Sequence, residues 1–170
     1  MSSGHFHSSD LSPNEARQAL SKAYSNKRFW NWMKGERFRV DRDFDIPYLA
    51  GYSKSGKIIY VDRHVPMSLV IAGRRVNILP FLIVHERTEK ALMDFLDYDY
   101  YEAHPLATYA EHVELKKMNI SPSAYERALD PYIKADLHQK ITKVPAELDL
   151  KPYRDSRDLK LIARMQEHLA

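Results

Sequence analysis

The stretch FLIVHERTEKALMDFL, Phe81 to Leu96, places His85, Glu86 and Glu89 within little more than one helical turn. On a helix advancing about 100° per residue, Phe81, His85, Glu89, Leu92 and Leu96 share one stripe. Arg87, Lys90, Asp94 and Asp97 gather on the opposite side. His85 and Glu89 therefore fall inside the apolar sector, with Glu86 at its border. A buried carboxylate without a partner costs several kcal/mol, so it is expected to be paired or to bind a metal. The i, i+4 spacing puts His85 and Glu89 on one face, close enough to share a ligand.

A third donor is expected from YYEAHPLATYAEHVEL, Tyr100 to Leu115. His104, Ala107, Glu111, Leu115 and Met118 fall on one helical stripe, so His104 and Glu111 point the same way. Ala107 is small and lets a neighbouring helix approach. His85, Glu89 and His104 then make a two-histidine, one-carboxylate set. That set suits zinc with an open position for water and also ferrous iron. The bland alternative for His85 and Glu89 is a buried hydrogen-bonded pair that locks two helices together.

The string HERTE, His85 to Glu89, resembles the H-E-x-x-H motif of zincin metallopeptidases, with Glu89 where the motif has its second histidine. A gluzincin-type enzyme takes two histidines from that motif and a glutamate from a following helix. Here the following helix offers His104, so the ligand types match with two positions exchanged. GKIIYVDRHVP, Gly56 to Pro66, is similar to the sheet-edge strand that such folds place beside the cleft. The resemblance spans roughly 57–111. It implies a zinc ion, or Fe2+ or another divalent metal, held by His85, Glu89 and His104. Glu86 would be the general base toward a metal-activated water. Glu111 would either orient a histidine or add a ligand. The implied activity is hydrolysis of a peptide or amide bond in a peptide or protein substrate. For stabilising the transition state, His64, Arg75, Tyr98, Tyr100 and Tyr101 are all open.

These side chains need a scaffold. Ser12, Pro13 and Glu15 form a capping box and open a helix running to Ser25 or on through Trp30 and Trp32. Two β-type runs flank Ser53-Lys54-Ser55-Gly56, and a second hairpin pairs Leu69–Ile71 with Val76–Leu79. The expected sheet is small and mainly antiparallel. The first core helix starts near Pro80. Pro105 is expected to start, kink or break the second. Ser121-Pro122 opens a third helix that Pro131 interrupts. VPAELDLKPY reads as an extended linker, and Ser156 caps a last helix carrying Leu159, Ile162, Met165 and Leu169 on one side. The expected fold class is α+β: a small antiparallel sheet, then a helical core with a zincin-like active-site helix. Residues 1–11 are expected to be a disordered segment before a single domain over 12–170, and His5 and His7 are given no role.

Composition agrees with a folded chain. Of 170 residues, 44% are hydrophobic, 29% charged and 11% aromatic. The absence of cysteine excludes disulfides, thiolate metal sites and cysteine nucleophiles. No apolar run of about 18 residues predicts a membrane span, and no signal peptide is evident, so the chain is expected to be cytoplasmic. P-loop, G-x-G-x-x-G and G-x-S-x-G patterns are missing. Two rivals remain. One is a carboxylate-rich iron site between helices, which paired E-x-x-H motifs would favour. The other is a non-enzymatic interaction or assembly protein with a structural His/Glu cluster. A formal charge of +3 and the basic, aromatic segment Asn26 to Arg42 make nucleic acid its candidate partner. In that segment the aromatics are expected mostly to pack inward. His112 and His138 are expected at the surface.

Overall fold

The computed structural model describes residues 11–170. Apart from Leu11, the N-terminal segment, with His5 and His7, lies outside the described residues. Among those described, the fold is α+β. Helix α1 (Pro13–Ser25) and helix α2 (Lys27–Gly35) precede strands β1 (Arg39–Asp41), β2 (Ala50–Tyr52), β3 (Ile58–Val61), β4 (Ser68–Ile71) and β5 (Arg74–Asn77). Helices α3 (Leu79–Phe95), α4 (Tyr100–Lys117), α5 (Pro122–Asp136), α6 (Lys151–Asp155) and α7 (Leu159–Gln166) complete it. No described helix is long and apolar enough to cross a membrane.

The capping box at Ser12 and Glu15 forms as expected. The helix does not continue through the tryptophans. Asn26 takes extended backbone and its Oδ1 accepts from the amides of Arg28 and Phe29, which starts α2 afresh. Phe29 and Trp32 turn inward, whereas Trp30 stays exposed beneath Lys34.

The strand pairing is mainly antiparallel, as expected, with one parallel pair in the larger sheet. Its order is β1-β3-β2, with β1 parallel and β2 antiparallel to β3. At three residues, Arg-Val-Asp, β1 is too short to show a period, so only its partner defines it. Strands β4 and β5 form a separate hairpin. Its two turn residues, Ala72 and Gly73, both have positive φ, the geometry that matches strand twist. The β2–β3 turn needs Gly56 for two reasons. Its φ is +72°, and a Cβ there would stand 3.0 Å from the Trp32 ring.

Helix α3 is the axis of the molecule. It is buried on nearly every side, including Thr88 and Lys90. On the charged side, Arg87 is sandwiched between the rings of Trp32 in α2 and Phe38, at 4.7 and 4.6 Å, while Asp94 and Asp97 stay exposed. Lys90, only 2% exposed, reaches Asp94 at 2.8 Å and Asp149 at 3.0 Å. Two carboxylates thus compensate the buried ammonium. Removing it strands Asp149 beside the core. Lys90→Ala is expected to lower stability by about 3 kcal/mol, read from urea unfolding of metal-free protein.

Helix α4 packs along α3 through Ala91, Ala103 and Ala107, all fully buried. Asp99 and Glu102 form its capping box. Pro105 neither starts nor breaks it: near the N-terminal end the ring costs one backbone hydrogen bond, which the packing absorbs. Pro131 likewise leaves α5 continuous to Asp136. Helix α7 is capped by Asp158, which accepts from the Leu161 amide at 3.2 Å, while Ser156 closes α6. The segment expected to be a linker is paired: Val144 bridges Leu169, and Leu148 bridges Ser53.

Candidate metal centre

The i, i+4 geometry of α3 and the alanine seam with α4 bring His85, Glu89 and His104 to one point. His104 Nδ1 lies 3.0 Å from Glu89 Oε2 and 3.2 Å from His85 Nε2. His85 Nε2 and Glu89 Oε2 are 3.6 Å apart. Tetrahedral zinc, with ligands at about 2.0–2.1 Å, spaces its donors about 3.3–3.4 Å from one another. A point about 2.0–2.1 Å from all three atoms therefore exists just off their plane. The donor types, imidazole and carboxylate, also suit zinc.

Glu111 resolves to one of its two expected positions. Its Oε2 stands 3.0 Å from His85 Nδ1, on the ring edge away from His104. Its Oε1 accepts from the Tyr125 hydroxyl at 2.6 Å. Glu111 thus orients His85 and does not enter the donor triangle. On the other side, the Tyr52 hydroxyl donates to Glu89 Oε1 at 3.0 Å, leaving Oε2 turned inward. Each face of the cluster has a support that fixes the ring or carboxylate plane. Glu111→Gln keeps the shape but removes the charge behind His85. It is expected to weaken metal affinity roughly 10–100-fold, measured by competition against a chromophoric chelator.

A cavity of about 40 Å³ opens beside the triangle. Tyr48, Tyr52, Tyr100, Tyr153 and Pro152 wall it, Ala50 and Gly51 of β2 floor it, and Glu86, Glu89 and Asp149 face it. No lysine or arginine lines it. Of the five residues left open for the transition state, Tyr100 alone is in this wall. His64 is held by Asp62 at 3.2 Å. Arg75 lines a different groove, and Tyr98 and Tyr101 are absent from the lining. His112 pairs with Glu126 at 2.8 Å, and His138 is exposed. Sequence reasoning missed Tyr48, Tyr52, Tyr153 and Asp149. Alternation along Ala50-Gly51-Tyr52 could have shown Tyr52 facing the helix. Nothing local marks Asp149 or Tyr153.

The carboxylates carry unequal protons. Burial pushes Glu86 up to about 8, and the neighbouring Glu89 charge adds to this. Glu86 accepts no hydrogen bond among the described residues. Burial also works against the Glu89 anion, but the hydrogen bonds and charges of His104 and His85 hold it down to about 2. Burial opposes charge on His85, yet its bonds to Glu111 and Glu89 raise it well above the usual imidazole value. Without a metal, the proton on His85 thus supplies the positive charge that the three carboxylates around it require.

The edge strand beside this cavity is β2, whereas Ile58–Val61, expected at the edge, is the central strand of the sheet. Tyr48 and Leu49, which lead into β2, both have left-handed backbone, with φ of 66° and 72°. Such strain persists only where the surroundings over-determine it. Here the Tyr48 amide donates to Asp136 at 2.7 Å and the Tyr153 hydroxyl to the Pro47 carbonyl at 3.1 Å. Comparison with known proteins gives no match: no family model, curated protein or solved structure is significantly similar to the chain.

Proposed function

We propose that the chain is a metal-dependent hydrolase of zincin-like type that cleaves an amide bond. His85, Glu89 and His104 hold the cation, zinc foremost, and Glu86 is the general base. The donor triangle of 3.0, 3.2 and 3.6 Å carries this reading. Hydrogen bonding alone does not require three donors on two helices to meet at metal spacing, with His85 and Glu89 each backed by an outer partner.

A bound dication would supply Lewis acidity and lower the pKa of a water. The protein's own groups do the rest. Glu86 faces the cavity one residue from the His85 ligand and is free of competing hydrogen bonds. Its carboxyl, at about 8 without metal, would be brought down by a nearby dication, so that it could take a proton and return it to the leaving amine. Tyr100 is the wall residue placed to meet developing charge on the carbonyl oxygen. A cytoplasmic setting belongs to the same reading, since a chain without cysteine draws nothing from an oxidising compartment.

The test is elemental analysis of protein freed of its N-terminal histidines and purified without chelator. One equivalent of zinc per chain supports the reading. Iron in its place favours the redox rival, and no bound metal leaves a structural His/Glu cluster.

A further inference from the structure

The cavity is closed to extended chains in a way that bears on its substrate. A peptide laid across such a site would pair with the free edge of β2. From Tyr52 onward that edge is already taken. Asp149 N donates to Tyr52 O at 2.9 Å, Lys54 N donates to Glu147 O at 2.8 Å, and Ser53 bridges Leu148 between them.

The covering segment is built into the core. Val144 and Leu148 are buried with Ile46, Tyr60, Tyr153 and Met165. Leu148 presses so closely on Gly51 that a Cβ there would lie 3.1 Å away. From the far side, the C-terminal residues clamp it: Val144 N donates to His168 O at 2.8 Å and Ala170 N to Val144 O at 2.7 Å. Lifting this strap would open a hydrophobic cluster, so it is a fixed wall.

What remains of the β2 edge, Ala50 and Gly51, lines the cavity. A single water needs about 10–15 Å³. The roughly 40 Å³ present therefore takes a group of about three or four non-hydrogen atoms. Much of its lining is aromatic ring and backbone, from Tyr48, Tyr52, Tyr100, Tyr153, Pro152 and Gly51, which suits a small acyl end.

Resting on the hydrolase reading above, we propose that the substrate is a short N-acyl amine, formyl or acetyl, inserted end-on. Water adds its oxygen to the acyl carbon, the C–N bond breaks, and the amine leaves with the proton taken by Glu86. The products are a short carboxylic acid and a free amine. The amine portion stays outside the cavity and is less tightly specified.

The size limit can be read without turnover. Cobalt-loaded full-length chain is titrated with acetohydroxamate and with octanohydroxamate, following the visible spectrum of the metal. Acetohydroxamate is expected to bind at least about tenfold more tightly, since even one surplus methylene costs about that much in a fitted pocket. Equal or tighter binding of the octanoyl compound, or binding of neither, overturns the proposal while leaving the metal site standing. Failure to take up cobalt overturns the hydrolase reading itself. In turnover by the zinc-loaded chain, an N-acetyl amide is expected to exceed its N-octanoyl counterpart and an end-blocked hexapeptide by about tenfold or more in kcat/KM. Internal cleavage of the hexapeptide at the acetyl rate or faster sinks the proposal. Tyr48→Ala, which removes one wall, is expected to narrow the acetyl-to-octanoyl ratio.

Discussion

Alanine in place of His104 is expected to abolish stoichiometric metal binding while leaving the fold intact. His104 supplies Nδ1 to the triangle and is the most exposed of the three donors, with its side chain at 33%. Its loss leaves Glu89 still bonded to Tyr52 and His85. The variant therefore separates coordination from stability. His85→Ala is expected to lose metal equally but to cost stability as well, because the Glu111 carboxylate then keeps only Tyr125. Either loss should exceed the roughly 10–100-fold penalty of removing an outer partner. Elemental analysis after dialysis, with melting of the metal-free forms, reads both effects. His112→Ala, which breaks only the ion pair with Glu126, should bind like the parent. Affinity should also rise with pH, since the metal displaces the proton that His85 otherwise holds above its usual range. A His104→Ala protein retaining one equivalent would show that the triangle is not the site.

The donor set was legible because helical spacing is local information. His85 and Glu89 one turn apart, and His104 with Glu111 on the next helix, need only the 3.6-residue period and a short connection. The same rule says nothing of how Lys90 is buried: Asp149, distant in sequence, compensates the ammonium. The three-residue β1 escaped notice for a similar reason: its parallel partner β3 lies beyond β2 in the chain. The strap over β2 read as a linker because Pro145, Asp149 and Pro152 break any local period. Its extended shape is fixed by Tyr52, Lys54 and Ala170, none of them neighbours in sequence. The prolines misled in one direction. Pro105 and Pro131 each remove one helical hydrogen bond, and packing against the rest of the fold outweighs that local loss. What sequence could supply was the chemistry of the centre; the walls that select its substrate come from residues far apart in the chain.

Glu86→Gln is expected to keep the metal and lose turnover by roughly 10²–10⁴-fold. The amide is nearly isosteric and its neighbours on α3 are unchanged, so the donor triangle should be undisturbed. What disappears is the ability to take a proton at neutral pH. The same substitution has a second readout that requires no substrate. The folded metal-free protein holds the Glu86 proton up to about 8, against an ordinary 4.5. A folded state that binds a proton more tightly than the unfolded chain is favoured at low pH and loses that advantage as pH climbs. For Glu86 the loss runs from about 4.5 to about 8. Above that window, the buried anion costs the parent a few kcal/mol on the order of the linkage. Glutamine escapes the cost. Chelated Glu86→Gln should therefore melt at about the parent's temperature at acid pH and several degrees higher near pH 9. Bound metal neutralises the anion, so the gap should shrink when zinc is restored. A variant that hydrolyses as fast as the parent removes Glu86 from catalysis. One that also shows no alkaline gain removes it from the buried, unpartnered position on which its role as base depends.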